Sequence, residues 1–204
     1  MTVEIHWLGH DAFRLVGEKT VYIDPWKLPA TAPLADLILI THDHYDHCSS
    51  EDVQKIRGVG TVVAAPSAAA SKLKAPVTVV KPGDKLTLNG VSIEVVPAYN
   101  INKPFHPRKA GHVGYIVTLG GERIYHTGDS DLIPEMKGLQ VDIALVPVSG
   151  TYVMDAEQAA QLVEQLRPRL AIPMHYGDIV GSEADAKRFQ ERCSVPVRIL
   201  QSER

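Results

Sequence analysis

LADLILITHDHYDHC, residues 34–48, joins a nearly all-apolar run to eight positions that hold three histidines and two aspartates. The chain has nine histidines in 204 residues, so the cluster is a strong local concentration. The apolar run reads as a strand buried on both faces. In an extended segment, side chains two apart point the same way, so His42, His44 and Asp46 can converge on one point. If the next helix starts near residue 47, His47 turns in beside them. Neutral imidazoles and a carboxylate suit Zn²⁺, and also Mn²⁺ or Fe²⁺. One exposed histidine is usually a solvated loop residue, but four ligand-type side chains in six positions point to a metal. The segment just past the carboxyl end of a buried strand is also where α/β proteins usually build sites.

Outward from this stretch, strands and helices alternate. VEIHWL, FRLV and TVYID, within residues 3–24, read as short strands before the cluster. Ser49, followed three residues later by Asp52, is a helix start. TVVAA (61–65) and VTVV (77–80) read as strands around the short helical candidate SAAASKL (67–73). KLTLNGVSIEVV (85–96) is a hairpin turning at Asn89-Gly90, a pair that tolerates positive φ. VGYIVTL and RIYH form a second pair turning at Gly120-Gly121. DIALVPV and LAIPMHY are strands, DAEQAAQLVEQLR is a helix capped by Asp155 with Gln158 at its third position, SEADAKRFQERC is a helix, and PVRIL (196–200) is expected to be a last strand. No repeat or linker interrupts the pattern, so one α/β domain over residues 1–204 is expected.

Twenty-one basic against 24 acidic residues leave a formal charge of −3, which does not favour nucleic acid or an anionic membrane. No apolar stretch approaches the ~20 residues of a membrane span. The start MTVEIHW lacks the features of a signal peptide, and Cys48 and Cys193 are too few for a disulfide framework. A cytoplasmic protein acting on a small molecule is the expectation.

Four ligands in one segment exceed what one tetrahedral ion takes, and a hydrolytic site must leave room for water. Two further strand ends offer more: Asp129 in IYHTGDS and His175 in IPMHYGD. A carboxylate such as Asp129 can bridge two cations. The set HxHxDH, a later Asp in HTGDS and a final His in PMHYG resembles the metallo-β-lactamase fold hydrolases. So do GHDAF near the start and IDPW after a strand. The likeness spans the whole chain and looks closest to the small, lid-less branch that includes L-ascorbate-6-phosphate lactonase-like proteins.

The resemblance implies a four-layer αβ/βα sandwich with two divalent ions, zinc foremost and manganese or iron as alternatives, at one edge between the sheets. One ion falls to His42, His44 and a third ligand, the other to Asp46, His47 and His175, with Asp129 bridging. Related sequences carry a histidine as the third ligand where PAYN here places Asn100. His106 is favoured instead, with Asn100 and His112 as the alternatives. The implied function is hydrolysis of a small-molecule ester, lactone or phosphoester by hydroxide shared between the ions, with Asp46 orienting the water and taking its proton. A phosphodiesterase or nuclease and a non-catalytic metal-stabilised binding module are the rival readings.

Other residues have plainer expectations. His126 should be buried and hydrogen-bonded behind the ligands, and His6 structural. His10, in the GHD turn, faces the site if that turn forms part of its rim, as the resemblance suggests. The resemblance makes Asp24 an acceptor for a ligand histidine's other N–H. Cys48 reads as packing, and Tyr45, Tyr152 and Tyr176 as rim residues. Lys103, Arg108 and Lys109 read as a solvated loop able to hold an anionic group of a substrate.

Overall fold

The strand β4 (Ala35–Leu39) divides its side chains between two cores. Leu37 and Leu39 join the larger apolar cluster, whereas Ile38, with Ile40 just beyond, joins a smaller one. This is the double-sided burial that the run LADLILI implies. The computed structural model describes residues 2–204, and in it β4 lies inside a six-stranded sheet. Its neighbours are β1 (Glu4–Trp7), β2 (Phe13–Val16), β3 (Thr20–Ile23), β5 (Arg57–Pro66) and β6 (Thr78–Val80), in sequence order. The first three strands are antiparallel, and β3 to β6 are parallel.

The second sheet repeats the plan. β7 (Lys85–Leu88), β8 (Val91–Pro97), β9 (Val113–Leu119) and β10 (Glu122–His126) are antiparallel, and β11 (Ile143–Pro147) and β12 (Leu170–Met174) extend it in parallel. The smaller core lies between the first sheet and the helices α1 (Ser50–Ile56) and α2 (Ser67–Ala70), joining Ile38 and Ile40 to Val53, Ile56 and Ala69. The larger core fills the space between the sheets and continues under α3 (Ala156–Leu166) and α4 (Glu183–Arg192) through Leu162, Val163 and Phe189. The result is the four-layer αβ/βα sandwich that the resemblance implies.

Local chemistry explains most boundaries. Ser49 caps α1 by accepting from the Asp52 amide, and Asp155 with Gln158 forms a reciprocal capping box on α3. Asn89 and Gly90 both take positive φ, 48° and 83°, as the hairpin turn requires. One expectation is corrected and one is shortened. PVRIL makes only a bridge between Val197 and Ala171, since Pro196 brings no N–H to a ladder. SAAASKL folds as the single helical turn of α2. Among the described residues, no helix is long and apolar enough to cross a membrane.

Seven strands point their carboxyl ends at one rim. β1 leads to His10, β3 to Asp24, β4 to His42, β8 to the loop carrying His106, β10 to Asp129, β11 to Ser149 and β12 to His175. The two sheets are tied there: Val113 N–H donates to the Thr41 carbonyl (3.0 Å), and the Tyr115 hydroxyl donates to the Ile40 carbonyl (2.7 Å).

Candidate metal centre

The cluster converges by a turn rather than by strand parity. Extension ends near His42, and the amides of His47 and Cys48 both donate to the His44 carbonyl (3.1 and 2.8 Å). That turn, not the start of α1, swings His47 inward. His42 and His47 are fully buried.

Hydrogen bonds behind the rings fix which nitrogen faces the centre. The Thr41 hydroxyl donates to Asp24 Oδ2 (2.6 Å), so at 2.9 Å it accepts from His42 Nδ1 and leaves Nε2 with its lone pair inward. His47 Nδ1 donates to the same Asp24 oxygen (2.8 Å). His106 Nδ1 faces two acceptors, Asn100 Oδ1 (3.1 Å) and the Tyr152 carbonyl (3.2 Å). His175 Nδ1 meets the Ser149 hydroxyl at 2.9 Å. Each arrangement is the kind that orients a metal-binding imidazole.

The inward atoms form two neighbouring groups. His44 Nδ1 lies 3.0 Å from His42 Nε2 and 3.3 Å from His106 Nε2, and these three residues are close enough to hold one ion. Asp11, His47, Asp129 and His175 form a second such group. Asp129 faces both: Oδ2 is 3.2 Å from His175 Nε2, 3.3 Å from His106 Nε2 and 4.0 Å from His42 Nε2, and Oδ1 is 3.5 Å from His47 Nε2. Asp46 Oδ2 is 3.7 Å from His47 Nε2. His47 Nε2 and Asp129 Oδ1 are buried without any hydrogen-bond partner. Buried polar atoms are seldom left so, and a cation between them satisfies both. The donor set of imidazoles and carboxylates therefore fits divalent metal.

Residues 4–175 match the family described as the beta-lactamase superfamily domain. A UPF0173 metal-dependent hydrolase of Thermoplasma acidophilum is 33% identical over 204 residues, covering 92% of this chain and 89% of that one. The chain belongs to this family of metal-dependent hydrolases. Its relative in Thermus thermophilus is 33% identical, over 93% of this chain and 91% of that protein. A structure from Parabacteroides distasonis, assigned as a metal-dependent hydrolase, superposes with a TM-score of 0.88 at 34% identity, over 98% and 94% of the two chains. A metallo hydrolase of Ignicoccus hospitalis gives 0.80 at 25% identity, over 99% and 96%.

In this hydrolase the position that reads PAYN does not aim Asn100 at the centre. The Asn100 amide donates to the Tyr152 carbonyl (2.8 Å), and its Oδ1 accepts from the backbone N–H of His106 (3.0 Å) and faces that ring's Nδ1. The loop folds inward and buries His106 to 1% exposure. His112 stands aside, with Nε2 3.5 Å from Asp43 Oδ1. His106→Ala is expected to weaken one metal by more than the roughly 10- to 100-fold cost of losing a group behind a ligand, and Asn100→Ala by about that cost. His112→Ala should change little. Titration against a competing chelator measures all three; equal losses in His112→Ala and His106→Ala would remove His106 from the assignment.

Sequence reasoning placed other residues less fully. His10 does face the site, its Nε2 3.1 Å from Asp46 Oδ2. Asp11, beside it, was missed; the only sequence signal is its place in the GHD turn. Its carboxyl is wholly buried, and burial foremost raises its pKa well above the usual range. His126 is held as expected: Nε2 donates to the Asp11 carbonyl (2.9 Å), and Nδ1 accepts from the Gly128 amide (3.1 Å). His6 pairs with Glu203 at 2.8 Å, away from the centre. Cys48 packs in the smaller core. Tyr45 and Tyr152 line the cavity over the centre, while Tyr176 lines a separate one. Lys103 and Arg108 are already paired with Asp131 and Glu135.

Charges around the centre push one another in opposite directions. Burial would raise Asp129, but His175, His47 and His42 outweigh it and hold the carboxyl well below the usual range. Burial would lower His175, but Asp129 and Asp11 lift it to about 9. Burial, with His47 beside it, drives His42 well down and keeps it neutral.

Two glycines position Asp129. A Cβ on Gly114 would lie 2.5 Å from the Thr127 carbonyl oxygen and 2.6 Å from that of His126. Gly128 combines φ of +62° with a would-be Cβ 2.6 Å from the Val113 carbonyl oxygen. Gly114→Ala must displace the end of β10, and overpacking of this kind costs about 1–3 kcal/mol. A denaturant titration should show that loss; unchanged stability would mean the strands separate freely here.

Proposed function

We propose that this hydrolase uses two divalent ions, zinc foremost, to cleave an ester, lactone or related bond in a small molecule. His42, His44 and His106 would hold one ion and Asp46, His47 and His175 the other, with Asp129 shared. The observation that carries this reading is the pair of unpartnered buried atoms, His47 Nε2 and Asp129 Oδ1, within a ring of lone pairs fixed from behind. Bound there, the ions would supply a water whose pKa falls toward about 7.

The protein's own groups do the rest. Burial would raise Asp46, but the hydrogen bond from His10 and the nearby His47 hold it down at about 2. A carboxylate that weak does not retain a proton at neutral pH, so its role is to orient the attacking water and pass the proton to the leaving oxygen. A cavity of about 480 Å³ opens over Asp46, Asp129 and His175, a volume suited to a small substrate. That access supports catalysis over a closed structural metal site. A cytoplasmic setting is in keeping with the two free thiols.

Elemental analysis of protein reconstituted with zinc, manganese or iron should find about two ions per chain. One or none would overturn the dinuclear reading.

A further inference from the structure

The mouth of the cavity is apolar. Tyr45, Phe105, Tyr152 and Ile179 reach it from four separate loops. Tyr45, Phe105 and Ile179 are 69%, 44% and 37% exposed and make up three of the seven large apolar side chains exposed among the described residues. Scattered apolar residues need no explanation, but a group around one opening marks a binding surface. The walls are braced: Phe105 meets Tyr152 edge to face with ring centroids 4.6 Å apart, and Tyr45 meets Trp26 at 6.0 Å.

The positive side-chain charge lining the cavity is paired. Lys72 is the one Lys or Arg lining the cavity, and its ammonium is held by the Asp43 carboxylate (2.6 Å) and carbonyl (2.7 Å). Lys103 and Arg108, on the loop that carries Phe105, are engaged by Asp131 and Glu135. Beyond the metal ions themselves, a phosphoester would find no unpaired Lys or Arg among the residues lining the cavity, where Arg or Lys commonly adds to a phosphate site. An apolar acyl group finds a matching wall.

We propose that the cavity recognises a neutral carbonyl substrate, an ester or lactone carrying an aromatic or branched apolar group, in preference to any phosphoester. This rests on the hydrolase reading above. The carbonyl would lie at the floor near Asp46 and Asp129, and the apolar group against Phe105, Tyr152 and Ile179. In the reaction the acyl C–O bond breaks; water supplies the new oxygen of the acid and the proton of the alcohol.

The test compares metal-reconstituted protein on p-nitrophenyl acetate, butyrate and phenylacetate with p-nitrophenyl phosphate and bis(p-nitrophenyl) phosphate. Filling an apolar pocket is worth roughly 10- to 200-fold. Phenylacetate should therefore exceed acetate at least about tenfold in kcat/KM, with both phosphoesters slower than any ester. Ile179→Ser and Phe105→Ala should flatten the acyl series to within about threefold while metal content, measured alongside, stays at the wild-type level. A second readout needs no metal: in titrations followed by NMR, the metal-free protein should bind phenylacetamide about tenfold more tightly than acetamide. A flat acyl series, a phosphoester as the best substrate, or equal binding of the two amides overturns the proposal. Preferential amide binding without turnover of any ester by the metal-loaded protein upholds the recognition and overturns the hydrolytic reading instead.

Discussion

Asp129→Ala should leave a folded protein that holds its metals poorly and no longer hydrolyses substrate. No other carboxylate lies within 4.0 Å of His42, His106 and His175 together, and its second oxygen faces His47. Without it, four imidazoles face one another with nothing negative between them, and any cation there loses its shared ligand. Loss of a group merely behind a ligand already costs about 10- to 100-fold in affinity, so a shared ligand should cost more. Polarisation by metal is worth several kcal/mol, so kcat/KM should fall on the order of a thousandfold or more. Asp129→Asn keeps the shape and loses the charge, and should fail nearly as badly. Full metal content and undiminished turnover in either variant would take Asp129 out of the centre.

The second large effect is expected at Asp24, a residue that binds no metal in this scheme. It is completely buried and accepts from the Thr41 amide (2.7 Å), the Thr41 hydroxyl (2.6 Å) and His47 Nδ1 (2.8 Å). Asp24→Ala strands these donors, and removing one partner of a buried charged pair costs roughly 3–5 kcal/mol. It also frees the rings of His42 and His47 to turn. Backbone strain offers an internal control. Asp24 has φ of 47°, a conformation costing a non-glycine residue about 1–3 kcal/mol. Asp24→Gly relieves that strain and should unfold at a higher temperature than Asp24→Ala, while both lose metal. Wild-type stability in Asp24→Ala would mean that the buried network contributes nothing.

Much of this was legible in the sequence because it depends on local rules. LADLILI announces a strand with two cores, Asn89-Gly90 a turn, and Asp155 with Gln158 a helix start; each needs only its neighbours. The HxHxDH segment announces metal because so many ligand-type side chains in so few positions have no ordinary structural explanation. What stayed hidden depends on long-range geometry. That Asn100 braces His106, rather than replacing it as a ligand, follows from how one loop closes against the Tyr152 carbonyl. Asp11 entered the site only because the turn before β2 meets the end of β12, where the His175 amide donates to the His10 carbonyl at 3.2 Å. PVRIL had the pattern of a strand, but Pro196 and its place beyond β12 reduced it to a bridge.

The division of the candidate ligands between the sheets has a consequence for the life of the molecule. His42, His44, Asp46 and His47 hang from the first sheet, whereas His106, Asp129 and His175 hang from the second. Metal bound among them would be a clasp across the seam of the sandwich, a reversible cross-link between halves that are tied at this rim by the Val113–Thr41 and Tyr115–Ile40 hydrogen bonds. Stabilisation by a ligand grows with the logarithm of its free concentration, about 1.4 kcal/mol for each tenfold rise above the dissociation constant. The stability of the fold would thereby rise with the supply of metal, the sandwich being held more firmly shut as free ion becomes more plentiful.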